Sequence, residues 1–178
     1  HTRHHDVMLE AAATSLQIHL QLPPARSVRY YNSAMILSAP LLAVSANSPY
    51  LFGHDLWDET RIPLFEQAVA VSPRAESRAN RVTFGHAYVR QSLMQCFEEN
   101  LTDYAVLLPT PLQTPPESLA HLRLHNGTLW RWNRPLIGFD DAGAPHLRLE
   151  HRVMPAGPSL VDMLANAALF YGLIQQLA

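Results

Sequence analysis

The sequence predicts an α+β fold in which an antiparallel sheet carries helices on one of its faces. Segments 13–22, 128–134 and 146–153 read as strands, and helix-like segments lie between the first and the second. The last two strands are separated by a short stretch with hairpin composition, so an antiparallel arrangement is expected.

In ATSLQIHLQL, from Ala13 to Leu22, Leu16, Ile18, Leu20 and Leu22 alternate with Gln17, His19 and Gln21. This period of two gives a strand with one apolar and one polar face, and Pro23 and Pro24 end it. Residues 25–46 are expected to be mostly helical, with Pro40 kinking or breaking the helix. A loop at 47–53 follows, then a short amphipathic piece at 61–69. Residues 72–81 (SPRAESRANR) are polar and turn-like, the composition of a mobile surface loop. Residues 88–104 read as one solid helix. The Pro-rich run 109–116 is a connector leading to a short helix at 117–124. Asp140, Asp141 and Gly143 suit the turn between the two late strands. The last helix, 159–177, opens with Ser159 and Asp162 at capping-box spacing.

With 178 residues, 48% of them hydrophobic, the chain is long enough for one domain with a sizeable core or for part of a larger one. A formal charge of −2 and scattered basic residues argue against nucleic acid as a partner. The uncharged stretch 30–53 is interrupted by Asn32, Pro40, Asn47 and Pro49. It falls short of the roughly 20 apolar residues of a membrane span, so no membrane partner is expected. The single cysteine, Cys96, excludes a disulfide framework and fits a reducing, cytoplasmic setting. GxxxxGK[ST], GxGxxG and GxSxG motifs are absent. His121 and His125 stand four apart, but the residues between them lack the HExxH pattern of a zinc helix.

The strand HLRLEHRV, from His146 to Val153, places Arg148, Glu150 and Arg152 on one face and Leu147, Leu149 and His151 on the other. A carboxylate between two guanidinium groups suits a site where a divalent cation and phosphate oxygens are held together. The same pattern also describes a solvated strand face with cross-strand ion pairs. His19 between Gln17 and Gln21 is ambiguous in the same way, as metal ligand or structural histidine. In WRWNRP, from Trp130 to Pro135, Arg131, Asn133 and Arg134 could converge on one anion close to the Glu150 strand.

Four blocks in order, TSLQIHLQ from Thr14, SANSPY from Ser45 with Gly53 and Arg61 after it, HNGTLWRWNRP from His125, and LRLEHRVMPAGPSLVDM from Leu147, resemble the second glutamate-cysteine ligase family. The resemblance implies a glutamine-synthetase-like catalytic sheet and an ATP-dependent carboxylate-amine ligase. In such families ATP phosphorylates the side-chain carboxylate of glutamate, and an amine such as cysteine attacks the acyl phosphate to form a γ-glutamyl amide. The resemblance further implies that His19 and Glu150 ligate Mg²⁺ and that Arg152 contacts the transferring phosphoryl group. Arg134, Arg61 and Arg148 are the expected substrate or phosphate binders, and Asn47 is expected to hold its loop together.

The family's Glu-rich first strand has no counterpart in this sequence. Residues 1–178 are therefore expected to form the C-terminal part of a larger catalytic domain, inactive alone and prone to self-association through an exposed sheet edge. A ligase for a different amine, and a non-catalytic binding or regulatory module on the same scaffold, are the alternatives left open.

Overall fold

The computed structural model describes residues 4–71 and 80–178. In chain order the elements are α1 (Met8–Ala12), β1 (Ile18–Leu22), α2 (Ser27–Ser45), β2 (Tyr50–Leu51), β3 (His54–Asp55), α3 (Arg61–Ala68), β4 (Val82–Thr83), α4 (Met94–Asp103), α5 (Ala120–Gly127), β5 (Trp130–Arg131), β6 (Asn133–Phe139), β7 (Pro145–His151) and α6 (Leu160–Leu177). The main sheet is antiparallel, in the order β1, β7, β6. β2 and β3 form a small hairpin, and β4 runs parallel to β5.

β7 is the central strand, and its two neighbours fix the register of the sheet. Ile18, His19, Leu20, Gln21 and Leu22 stand opposite His151, Glu150, Leu149, Arg148 and Leu147. On the other side Asn133, Arg134, Pro135 and Leu136 face His151, Glu150, Leu149 and Arg148. Ile18, Leu22 and Leu149 are buried in one core cluster with Tyr30, Tyr31, Ala34, Leu37 and Leu41 of α2 and Phe170 and Ile174 of α6. The apolar face of the sheet is thus covered by two helices, as its period-two pattern requires.

α2 runs unbroken through Pro40. The missing proline N–H deprives the carbonyl of Ile36 of its helical partner, but Ile36 and Pro40 are both exposed, so water can take the bond. Tyr30, Tyr31, Ala34, Leu37, Ser38, Leu41 and Ser45 recur at three- and four-residue spacing along the buried stripe of the helix. α6 begins as its sequence predicts: the Ser159 hydroxyl oxygen accepts from the Asp162 N–H. By length and composition alone this 18-residue helix, with a mean hydropathy of 1.2, could cross a membrane; here Phe170 and Ile174 anchor it to the core.

The expected helix at 88–104 is shorter, because α4 starts only at Met94. The chain before it is tied to α2 instead. The Val89 N–H donates to Asn32 Oδ1 (2.9 Å), while Asn32 Nδ2 donates to the Val89 carbonyl (2.8 Å). Gln95 Oε1 then accepts from the N–H groups of Arg90 and Gln91, which ties the segment before α4 to its first turn. The strand expected at 128–134 is two strands in two sheets, parting at Trp132. The expected loop at 72–81 falls mostly outside the described residues; Arg81, at its end, is buried, with Nη1 donating to the Thr128 carbonyl.

The β6–β7 turn is closed by Asp140, whose Oδ1 accepts from the N–H groups of Ala142 and Ala144, and by Gly143 at φ 79°. Among the described residues the outer edge of β1 carries no further strand, whereas at the outer edge of β6 Asn126 Nδ2 donates to the Pro135 carbonyl.

His151 is the one polar side chain of β7 that faces the core. Its ring stacks on Phe170 at 4.4 Å, and its Nδ1 donates to Asn133 Oδ1 (2.7 Å), while Asn133 Nδ2 donates to Ser38 Oγ. Its Nε2 is buried without a partner, and burial lowers the pKa to about 4. The folded pKa lies below the unfolded one. The stabilisation is therefore complete above about pH 6.5 and is lost as pH falls towards 4, a change on the order of 3 kcal/mol. Urea titrations at pH 7 and pH 4 should find His151→Gln losing less stability on acidification than the wild type. Equal losses would mean that another group senses the pH.

Candidate active site

The second face of the sheet carries charge. His19, Glu150 and Arg134 form one row across β1, β7 and β6 because they are directly opposite one another in register. Arg148 lies two residues from Glu150 on the same face, opposite Gln21 and Leu136.

Glu150 is the hub of the row, with a side chain only 5% exposed. Its Oε2 accepts from Arg134 Nε at 2.7 Å and lies 3.8 Å from Arg152 Nε, while its Oε1 lies 3.4 Å from His19 Nε2. His19, at 41% exposure, is the open member of the group. Arg134 is steadied by the carbonyls of Gly127 and Leu129, where α5 ends.

Arg152 follows β7, and its backbone N–H donates to the Trp132 carbonyl at 2.9 Å. Its guanidinium lies over the Phe65 ring at 5.8 Å, and its Nε is buried without a hydrogen bond. Burial, then the charge of Arg134, lowers its pKa to about 10; Glu150 opposes the shift without cancelling it. Arg152 stays protonated at neutral pH but is short of negative charge. Arg134 and Arg152 share the Glu150 carboxylate, with exposed Glu10 a weaker negative charge towards Arg152, and the unbonded Nε of Arg152 suits the pair to an anion.

Arg61 comes close to this group from α3. It shares a recess of about 60 Å³ with Arg152, Ser15, Gln17 and Glu10. Its charge is already matched, however: Nη2 lies 3.3 Å from Glu59 Oε2 and donates to the Val153 carbonyl, and the guanidinium stacks over Trp132 at 5.5 Å. Glu59, two residues upstream, also accepts from the Asn47 N–H. Asn47 Nδ2 donates to the Ala156 carbonyl at 2.9 Å, so Asn47 ties its loop to the segment after β7.

Of the three donors expected to converge from WRWNRP, only Arg134 reaches the row. Asn133, one residue earlier, points into the core beside Ser38 and His151. Arg131 belongs to β5 and is fully engaged with Glu99 (2.7 Å) and Asn100 (2.8 Å). His121 Nε2 accepts from the Leu112 N–H and His125 Nε2 donates to the Asn100 carbonyl, so these two serve their own segments. Both border an apolar cavity of about 590 Å³ walled by residues such as Phe97, Leu101 and Leu122.

For a divalent ion, His19 Nε2 and Glu150 Oε1 are close enough to share one cation. They supply two ligands. Among the described residues the only set of three His, Cys, Asp or Glu donors is His86, Glu99 and Asp103, which lies elsewhere and is already engaged by Arg131 and by its own His–Asp contact. Glu10, Ser15, Phe65 and Trp132 join the site without a signal in the sequence, since only the tertiary fold brings α1 and α3 beside Arg152.

The sequence model of glutamate-cysteine ligase family 2 matches residues 1–178. No curated protein and no solved structure matches the chain.

An anion bound between Arg152 and Arg134 should stabilise the fold by mass action. Inorganic phosphate is expected to raise the melting temperature of the wild type by a few degrees. The shift should be lost in Arg152→Gln and retained in Arg29→Gln, which alters an exposed arginine of α2. Equal shifts in both variants would move the anion elsewhere.

Proposed function

The chain belongs to glutamate-cysteine ligase family 2, a family of carboxylate-amine ligases, and on that premise we propose that the polar face of its sheet joins glutamate to an amine such as cysteine through an acyl phosphate. A glutamine-synthetase-like catalytic sheet is part of the same proposal. The observation that carries it is the charge balance at Glu150: one carboxylate among Arg134, Arg152 and His19, with buried guanidinium capacity left over.

Phosphoryl transfer from ATP to a carboxylate brings two anions together, so catalysis is mostly positioning and charge neutralisation. Arg152 and Arg134 are the residues proposed to hold the transferring phosphoryl group, and the shared Glu150 keeps the pair of guanidinium groups from repelling one another. Arg152 would tighten as phosphate replaces a distant carboxylate contact by a direct one, a gain made where negative charge accumulates. Arg61 orders this wall by anchoring α3 to the chain just after β7, at Val153, and backing Trp132.

His19 and Glu150 are the residues proposed to hold Mg²⁺, with phosphate oxygens, water or further carboxylates as the remaining ligands. The chemistry such an ion supplies is neutralisation of phosphate charge. Glu150 then has two duties, one oxygen towards His19 and one towards Arg134. Cys96 is a buried free thiol whose pKa is raised by burial, in keeping with the reducing, cytoplasmic setting that belongs to this reading.

ADP release should be followed in the protein that carries this chain, with ATP, Mg²⁺, glutamate and a panel of amines including cysteine. Amine-dependent release is expected, and Glu150→Gln should abolish it. That substitution also leaves Arg134 and Arg152 without a counter-ion, so a stability loss of about 3 kcal/mol should accompany it. Turnover is compared below the melting transition of the variant for that reason. Normal turnover in folded Glu150→Gln would sink the site assignment, and no release with any amine would favour a non-catalytic module.

A further inference from the structure

Away from the charged sheet face, His86, Glu99 and Asp103 bring an imidazole and two carboxylates together, with one donor atom of each within 4.8 Å of the others. We propose that these three side chains bind a divalent transition-metal ion of the zinc type, which ties the chain after β4 to the end of α4. This site stands apart from the Glu150 row and does not depend on the ligase reading.

Glu99 and Asp103 are four residues apart on α4 and so share one face of the helix. His86 reaches that face from the chain just after β4. Its Nε2 lies 2.8 Å from Asp103 Oδ2 and 4.0 Å from Glu99 Oε1. Donors about 2.1 Å from a tetrahedral ion stand about 3.4 Å from one another. The two observed separations bracket that value, so small side-chain rotations complete the set.

The contacts already made by these residues hold the donors in place. Arg131 Nη2 donates to Glu99 Oε1 at 2.7 Å, and the His86 N–H donates to Glu99 Oε2 at 3.4 Å. A carboxylate oxygen has two acceptor positions, so Oε1 keeps one for an ion. Gly85, at φ 87°, lets the chain come this close: a Cβ there would run into the Arg131 guanidinium and lie 3.4 Å from Glu99 Oε1.

The charge balance favours a cation. Arg131 offsets one of the two carboxylates. Asp103 is left at the negative end of the α4 dipole, and the last turn of that helix has no basic residue. Imidazole with carboxylate suits zinc, cobalt or nickel better than the all-oxygen shell preferred by Mg²⁺ or Ca²⁺. The His86 side chain is 68% exposed, which gives the ion a path in and leaves its fourth position to water. Phe84, two residues before His86, packs against Trp132 at 6.4 Å, so an ion held here would also steady the ring that stacks with Arg61.

Zn²⁺ is titrated by calorimetry, in excess Mg²⁺, into the protein carrying this chain. The same titration is made on His86→Ala, Asp103→Asn, His19→Gln and a His4→Ala, His5→Ala double variant. Loss of a ligand should weaken zinc binding at one site at least as much as loss of an outer-shell partner does, about 10- to 100-fold. His86→Ala and Asp103→Asn should each show this loss, and the other two variants should bind as the wild type does. Zn²⁺ should raise the melting temperature of the wild type by a few degrees and leave that of His86→Ala unmoved. Co²⁺ should give the visible absorption of a four-coordinate ion in the wild type and not in His86→Ala. His86 is exposed and Asp103→Asn keeps its shape, so both variants should fold; Glu99→Gln is avoided because it would strip buried Arg131 of its counter-ion. Wild-type zinc affinity in either His86→Ala or Asp103→Asn would overturn the site, leaving a plain His–Asp pair. Loss confined to His19→Gln or to the N-terminal double variant, or no zinc binding to the wild type, would overturn it equally.

Discussion

The alternation of side chains along β7 is the constraint from which the rest of the molecule follows. This strand is hydrogen-bonded on both edges, so its register is fixed twice, by β1 and by β6. Leu147, Leu149 and His151 are thereby committed to the helices, and Arg148 and Glu150 to the opposite face. A register shift of one residue at either neighbour would drive charges against Tyr31 and Phe170 and expose the leucines. The packing of α2 and α6 and the existence of a charged row are two results of one pairing.

On the charged face the controlling fact is that carboxylates are scarce. Glu150 serves Arg134 and Arg152 together and has His19 at its other oxygen, while Glu59 is reserved for Arg61. A symmetrical set of ion pairs would hold its charges shut. Here Arg152 keeps a buried Nε without a hydrogen bond, so an anion bound there would supply a partner that the free protein lacks. Burial wins over attraction at Arg152, as the downward pKa shift records.

How far the sequence could be read depended on the range of the interactions involved. The strand faces were legible because period two is a local pattern, and His19, Glu150 and Arg134 met as that pattern required. The cap of α6 was legible for the same reason, since Ser159 and Asp162 are three residues apart. What failed were features decided by distant partners. The late start of α4 depends on Asn32, 57 residues before Val89. The engagement of Arg131 depends on Glu99 and Asn100, and the division of the WRWNRP strand depends on β4. Arg61 pairs with Glu59, only two residues before it, but its second partner, the Val153 carbonyl, is 92 residues on.

The turn at Asp140 to Ala144 divides the chain into places where length is negotiable and places where it is not. The turn is exposed, and the strands on either side are already paired from Phe139 with Pro145 onward, so extra residues inserted there would lengthen a loop and leave every side chain facing as before. One residue gained or lost between His146 and Glu150 would exchange the wet and dry faces of half the sheet. Length variation among related chains should therefore gather at this tip, and the spacing from Arg148 to Arg152 should behave as an indivisible unit.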